Sequence, residues 1–361
     1  MDAHQGSAEH QPTGDVWAVR WAHGEFKIHA RGGMLGGTQF RLADGRSVRP
    51  FYEAPWLGEA GPVVPELLAG MRNEFSCAPF GGVYQSEGLP PDWRAAAESE
   101  VLDVDAPLME SDLLLHGYGG AHDWQLDSRS QDTVRIAIYY PDTSPLRRVT
   151  RTVAGDPDAA AINFSVTIEA RRTCRRPIGV HPNIALPELA GALHIKPAGF
   201  EFGMVHPFGP EKGVSRAAPG ALFSDLAKVP MHAGGASRFD RLPFAYDTEE
   251  TLQLCGCDGR VEIVDTEAQA RYRLSWDASV LPSLLLWISN RGRAYAPWNS
   301  RNLCVGVEPM AGAFDLGSRA GIADNPINRR GVKTAVMFDP GQPLSFSYRF
   351  EADTVRESGA S

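Results

Sequence analysis

Asn302-Leu303-Cys304-Val305-Gly306-Val307-Glu308-Pro309-Met310 is the stretch whose reading decides the fold. Leu303, Val305 and Val307 alternate with Cys304, Gly306 and Glu308, the period-two pattern of a strand with one apolar face. Glu308 then lies on the opposite face, among small neighbours, which predicts open space above its carboxylate. Pro309 has no N–H to give and is predicted to end the ladder. A carboxylate so placed is a catalytic base, a hydroxyl acceptor, or a rim group in solvent.

The same alternation recurs outward from this stretch. Val16-Trp17-Ala18-Val19-Arg20-Trp21, Glu25 to His29 and Gln39 to Leu42 read as strands broken by glycine turns. Val134 to Tyr140, Ile162 to Ile168 and Leu344 to Phe350 each have one wet and one dry face. Leu284-Leu285-Leu286-Trp287-Ile288 is apolar on both faces, as in a central strand. Helical periodicity is scarce: Pro65 to Ala69 reads as a helical turn, and Asp92 to Glu98 as a short helix with Asp92 as N-cap. Many short strands with 37 glycines and 27 prolines predict an all-β protein, a large antiparallel β-sandwich with few short helices. Without an internal repeat, linker or charge block, the expected organisation is one domain over 16–352, a disordered leader over 1–15 and a flexible tail over 353–361.

Composition narrows the partners. With 44 acidic against 35 basic residues, a net charge of -9, the basic footprint of a nucleic-acid binder is missing, and a neutral, polar small molecule fits better. Five scattered cysteines argue against a disulfide framework and for a reducing compartment. No signal-peptide pattern and no run of about 18 apolar residues is present. The expectation is a soluble cytoplasmic protein without membrane contact, monomeric or homodimeric.

Three further stretches can carry chemistry. In Leu115-His116-Gly117-Tyr118-Gly119-Gly120-Ala121-His122-Asp123-Trp124, a histidine enters a loop whose glycines let backbone approach a ligand, or is merely exposed in a turn. In Gly179-Val180-His181-Pro182-Asn183, a histidine again ends a strand ahead of a proline. Arg72 in Met71-Arg72-Asn73 offers a fork of donors for hydroxyls or a developing oxyanion. His206-Pro207 reads as loop, structural or exposed. His116 and His122 are six apart, Cys255-Gly256-Cys257 has no completing pair, and no ligand set has metal spacing, so no metal is expected. Acyl-transfer, phosphate-cradling and dinucleotide motifs are absent, so those chemistries lose ground.

Taken in order, Arg72, His116-Gly117, His181-Pro182, Val307-Glu308-Pro309 and Phe338-Asp339-Pro340-Gly341-Gln342 resemble the aldose 1-epimerase (galactose mutarotase) family, over about Trp17 to Glu351. The resemblance implies a galactose mutarotase-like supersandwich with a sugar site in an open cleft of its concave face, a small-molecule carbohydrate as partner, and no cofactor. It implies Glu308 as the base that takes the anomeric proton, His181 as the acid that protonates the ring oxygen, and His116 and Arg72 as groups that hold the sugar. The sugar-holding aspartate of the family sits in a Phe-Asp pair, for which Phe239-Asp240 is the best match, with Asp247 and Asp258 as competitors. Trp124, Trp287 and Trp298 can offer apolar faces to a sugar or pack in the core. Asn73 after Arg72 and Asn183 after Pro182 depart from the pattern. The expected activity is anomer interconversion of a free aldose; a lyase or hydrolase step on the same scaffold and a non-catalytic sugar-binding module are the alternatives. Arg291 and Arg293 can supply a phosphate site for a phosphorylated sugar.

Overall fold

A computed structural model describes residues 14–59, 65–82, 87–99 and 107–355. Two large antiparallel sheets face each other. The first has eight strands, in the order Leu222–Phe223, Phe202–Val205, Thr248–Cys255, Ser283–Asn290, Leu303–Ala311, Ile178–Val180 and Ser76–Cys77, with Asn183–Ala185 also paired to Leu303–Ala311. The second has nine, in the order Arg241–Leu242, Leu193–Pro197, Arg260–Asp265, Ala270–Trp276, Leu344–Thr354, Ala161–Ala170, Leu146–Gly155, Thr133–Tyr139 and Gln125–Arg129. A four-stranded meander, Val16–Trp21, Gly24–His29, Leu35–Arg41 and Ser47–Val48, opens the described chain. This is the all-β sandwich the alternating runs predict, with four short α-helices among the described residues.

Alternation sorts the side chains into two apolar layers. Leu303, Val305 and Val307 join Leu252, Leu254, Leu284, Leu286 and Ile288 against Ile162, Phe164, Val166, Phe346 and Phe350 of the facing sheet. Each such fully buried side chain stabilises the fold by about 1.5–3 kcal/mol. On the other face of the eight-stranded sheet, Cys255, Leu285, Cys304 and Met310 pack with Phe75, Phe80 and Trp298 in a second cluster. The Ser283–Asn290 strand is thus apolar on both sides because both sides are covered. Between the sheets, Arg151 has no exposed surface; it forms an ion pair with buried Glu74 and donates to Gly33 O at 2.6 Å, while Tyr348 Oη donates to Glu74 Oε1 at 2.6 Å.

Several local expectations need correction. The strand does not stop at Pro309 but pairs on through Met310 and Ala311. Val307 N–H donates to Pro182 O, and on the register that Gly179↔Met310 and Asn183↔Gly306 share, Pro309 falls opposite Val180 and leaves out one ladder donor without ending the strand. The short helix runs Pro91–Ala97 with Pro90 as N-cap: Pro91, whose φ suits the first helical position, starts it one residue before Asp92. Leu344–Thr354 continues two residues past 352. The expected leader lies outside the described residues except for 14 and 15, and the expected tail except for 353–355. No helix among the described residues is long and apolar enough to cross a membrane.

Candidate active site

One row across the outer face of the eight-stranded sheet assembles the site. Gln253 is opposite Leu285, and Leu285 is opposite Glu308. On the other side of Glu308 comes His181, at the break between two short strands, whose N–H donates to Phe75 O at 2.8 Å. His181 Nε2 lies 3.2 Å from Glu308 Oε1. Three rings fix the imidazole: Phe75 stacks on it at 4.6 Å, His116 meets it edge-on at 4.9 Å, and Trp287 stands edge-on at 6.0 Å.

The open space predicted above Glu308 is not there. A Cβ on residue 306 would stand 2.2 Å from Glu308 Oε1, so the carboxyl folds back over Gly306 and fills its vacancy. Glu308 has no exposed surface, and His181 and His116 keep 4% and 7%. Both Glu308 oxygens and His181 Nδ1 are buried without a hydrogen-bond partner among the described residues. Where the resemblance implies an open cleft, Phe75, Phe80, Leu285 and Met310 close around the pair. A groove of about 680 Å³ lies elsewhere, lined by Asn163, Ser165, Ser347 and Arg349 on the nine-stranded sheet.

His116 sits at φ 54, held by its N–H to Gly81 O at 2.6 Å. The glycines that follow serve the protein's own packing rather than a ligand: a Cβ at Gly117 would meet Ala78 O at 2.3 Å, and one at Gly120 would meet the Leu67 side chain at 2.5 Å.

Electrostatics follow from burial. Desolvation holds the Glu308 carboxyl well above the usual carboxylate range, and the charge of Asp315 adds to this. Burial, then the neighbouring His116, holds His181 well below the ordinary imidazole value. Burial pushes His116 down to about 4 against the opposing field of Asp315. Burial therefore favours the neutral form of both groups, a carboxyl beside an imidazole.

The structure brings Glu308, His181, His116 and Trp287 together and leaves the other sequence candidates apart. The Arg72 side chain packs over Gly36 beside His29, bordered by Glu53, and makes no ion pair or hydrogen bond among the described residues. Trp124 is core: its Nε1 donates to Gly119 O at 2.9 Å and its ring covers Gly33. Trp298 packs edge-on against Trp56 at 4.8 Å and Trp287 at 5.9 Å. Asp240 stands at the edge of the nine-stranded sheet, where Arg238 holds both its oxygens at 3.0 and 2.6 Å. Asp247 is exposed, and the Asp258 carboxylate lies against Gly199.

What the sequence reading missed is Asp315. It follows the glutamate strand by four residues and is half-buried, with Oδ1 3.2 Å from Nε2 of fully buried His206. Gln253 clamps the turn before it, donating to Gly312 O at 3.0 Å and accepting from Phe314 N–H at 2.7 Å; Gly82 N–H donates to Asp315 O at 3.0 Å. The signal was present, since Phe314-Asp315 repeats the Phe-Asp pair sought at Phe239-Asp240. His206, read as loop and structural or exposed, is the buried partner of this carboxylate.

No family model matches the chain, and no curated protein is similar to it in sequence. Solved structures are similar in fold. A candidate aldose 1-epimerase of Escherichia coli K12 is 14% identical, with 94% of this chain and 99% of that one covered at a TM-score of 0.61. For the GalM/aldose epimerase homologue of C. elegans the values are 10%, 95%, 100% and 0.61, and for a galactose mutarotase related enzyme of Lactobacillus acidophilus 12%, 95%, 99% and 0.57. Across nearly its whole length, then, the chain has the β-supersandwich fold of the aldose 1-epimerase and galactose mutarotase-like structures.

Proposed function

We propose that the protein is an aldose 1-epimerase-like enzyme that interconverts the α and β anomers of a free aldose. The observation that carries this reading is the 3.2 Å approach of His181 Nε2 to Glu308 Oε1 in a site closed to bulk water. Mutarotation needs one group to take the anomeric hydroxyl proton and another to protonate the ring oxygen. A carboxyl 3.2 Å from an imidazole offers both. A sugar hydroxyl donating to Glu308 favours the carboxylate–imidazolium form, in which Glu308 is the base and His181 the acid.

Glu308 then takes the O1 proton as His181 gives one to O5. The C1–O5 bond breaks, C1 becomes an aldehyde, and rotation about C1–C2 presents its other face. Closure reverses both transfers, so the pair regains its starting state without exchanging a proton with solvent, consistent with its burial. The stack of Phe75 and the edges of His116 and Trp287 hold the imidazole in line, and Asp315, whose charge acts on both groups, is the candidate acceptor for a further sugar hydroxyl.

Saturation-transfer NMR between the anomeric protons of free aldoses tests the reading. Exchange faster than the buffer rate, lost in Glu308→Gln, is the expected result. Sugar binding without accelerated exchange would leave a binding module in its place.

A further inference from the structure

The outer face of the nine-stranded sheet takes no part in the site above. Phe164, Val166, Phe346 and Tyr348 point into the core, so alternation turns Asn163, Ser165, Ser347 and Arg349 outward. Register lines these up across strands. Thr152 is opposite Ser165 and Ser165 opposite Ser347; in the next row Ala154, Asn163, Arg349 and Ser275 follow one another. Short side chains on four adjacent strands, a span of roughly 14 Å at the usual strand spacing, leave a trough where long ones would fill it. This is the groove of about 680 Å³, and ligand pockets measure about 300–1,000 Å³. Longer, charged side chains flank it: Arg273 is ion-paired with Glu351 and Arg271 with Asp353 toward one end of the strands, and Arg148 with Asp127 and Glu169 toward the other.

The floor of the trough is rich in uncommitted polar atoms. One row away, the Thr167 and Ser345 hydroxyls pair at 2.8 Å, but those of Thr152, Ser165, Ser275 and Ser347 make no hydrogen bond among the described residues. Arg349 is held in place: its Nη1 is ion-paired with Asp156 and donates to Asn163 Oδ1 at 2.8 Å, and its Nε faces Glu351 at 3.4 Å. Its Nη2 is left without a hydrogen-bond partner among the described residues. Asp277 accepts from the Ser279 N–H at 3.0 Å and hydroxyl at 2.6 Å through Oδ1, which leaves Oδ2 open. We propose that this trough is a second, non-catalytic site, which holds a neutral oligosaccharide lengthwise across the four strands.

The chemistry of the lining selects the class. Each serine or threonine hydroxyl both donates and accepts, as each hydroxyl of a saccharide does, so the two surfaces match without a unique orientation. Arg349 adds a fixed donor and Asp277 a fixed acceptor, and bonds to such charged groups are stronger than those between neutral ones. An anionic chain would find every arginine of the trough already paired and the Asp277 carboxylate facing it. An apolar ligand would take water from the hydroxyls without replacing its hydrogen bonds. The site lies on the opposite sheet from Glu308 and His181, so it stands or falls independently of the reaction proposed there.

The test uses maltohexaose and cellohexaose reduced to their alditols, which have no anomeric centre at the end and cannot be turned over by the Glu308 and His181 pair. Calorimetric titration of the full chain with each, and with hexagalacturonate as the charged control, should show millimolar or tighter binding of at least one neutral chain and weaker binding of the anionic one. Ser165→Tyr and Ser347→Tyr fill the trough from exposed positions. Each should weaken the neutral chain at least about tenfold, with the melting temperature and any glucose anomer exchange close to those of the wild type. Failure of both neutral chains to bind, binding unchanged in either variant, or hexagalacturonate bound as tightly would overturn the site. So would a wild-type dimer that sedimentation shows to dissociate in both variants, since a second copy would then cover the face. If glucose is not exchanged at all, the epimerase reading falls and the titrations still decide this site.

Discussion

His206 Nε2 stands 3.2 Å from Asp315 Oδ1, so a side chain with no exposed surface anchors a carboxylate that solvent reaches at the border of a closed site. The negative charge of Asp315 helps keep the proton on Glu308 and favours the charged forms of His116 and His181. Asp315→Asn removes that charge at constant volume. The one-proton state of the pair is lost at high pH by ionisation of Glu308, so the alkaline limb of kcat/KM should move to lower pH. An alkaline limb that stays put in the variant's pH–rate profile would show that Asp315 does not act on the pair.

In the wild type both limbs should be displaced. Protonation of the lowered His181 ends activity on the acid side, and ionisation of the raised Glu308 ends it on the alkaline side. The plateau of kcat/KM should therefore extend below the ordinary imidazole value and well above the ordinary carboxylate value. A bell with both limbs at the ordinary values of the two groups would contradict the closed pair.

Replacing Glu308 by Gln should lower turnover by at least about 10²-fold, the smaller contribution of a positioned acid or base. Its stability effect has the opposite sign. Folded Glu308 keeps its proton above the value of 4.5 at which the unfolded chain releases it, so the wild type loses stability as pH rises through that window. Glutamine cannot ionise. The melting temperature of the variant should exceed that of the wild type by a margin that widens from pH 5 to 8, measured by scanning calorimetry; a margin independent of pH would count against a neutral Glu308.

On the acid side the histidines govern. His116 titrates at about 4 when folded against 6.5 in the unfolded chain, so the unfolded state takes up protons that the folded state refuses as pH falls through that interval. Stability should decline from pH 6.5 to 4, and His116→Asn should flatten the decline in urea titrations run at each pH.

The strands were legible because each obeys a rule local to a few residues: Leu303, Val305 and Val307 needed only their own alternation. Glu308, His181 and His116 could be proposed from sequence because each stands directly before a proline or a glycine, in a recognisable order. Asp315 was not, because its position depends on Gln253, His206 and Gly82, brought to it from three separate parts of the chain. Asp240 misled for the same reason: an identical dipeptide lies on the sheet that the site does not use. Nor does sequence spacing say whether the space over a glycine stays open or is filled by a neighbour's side chain.

The buried tie between the sheets should behave as a unit. Arg151→Leu leaves Glu74 charged in the core, with Tyr348 Oη as its remaining described partner, and should destabilise by about 3–5 kcal/mol. Changing Glu74 to Gln in the same chain removes the orphaned charge and should recover much of that loss. Denaturant unfolding of the two single variants and the double variant measures the coupling; additive effects would mean that the pair is not formed.

Gly306 gives the sharpest separation of activity from stability. It lies opposite Trp287 in the ladder, and its φ is not in the left-handed region, so alanine is tolerated by the backbone. The contact an alanine methyl would make is with Glu308 Oε1, at 2.2 Å, with Glu308 Cδ and Cγ behind it at 3.1 and 3.3 Å. Because the obstacle is the far end of a flexible side chain, the cheap response is for the carboxyl to swing away, which takes it off His181. A misplacement of about 1 Å in a reacting group can cost about 10²-fold. Gly306→Ala should thus lose anomer exchange nearly as fully as Glu308→Gln while its unfolding midpoint stays close to that of the wild type, and near-normal exchange in a folded Gly306→Ala protein would show that the carboxyl need not lie against His181 for the reaction.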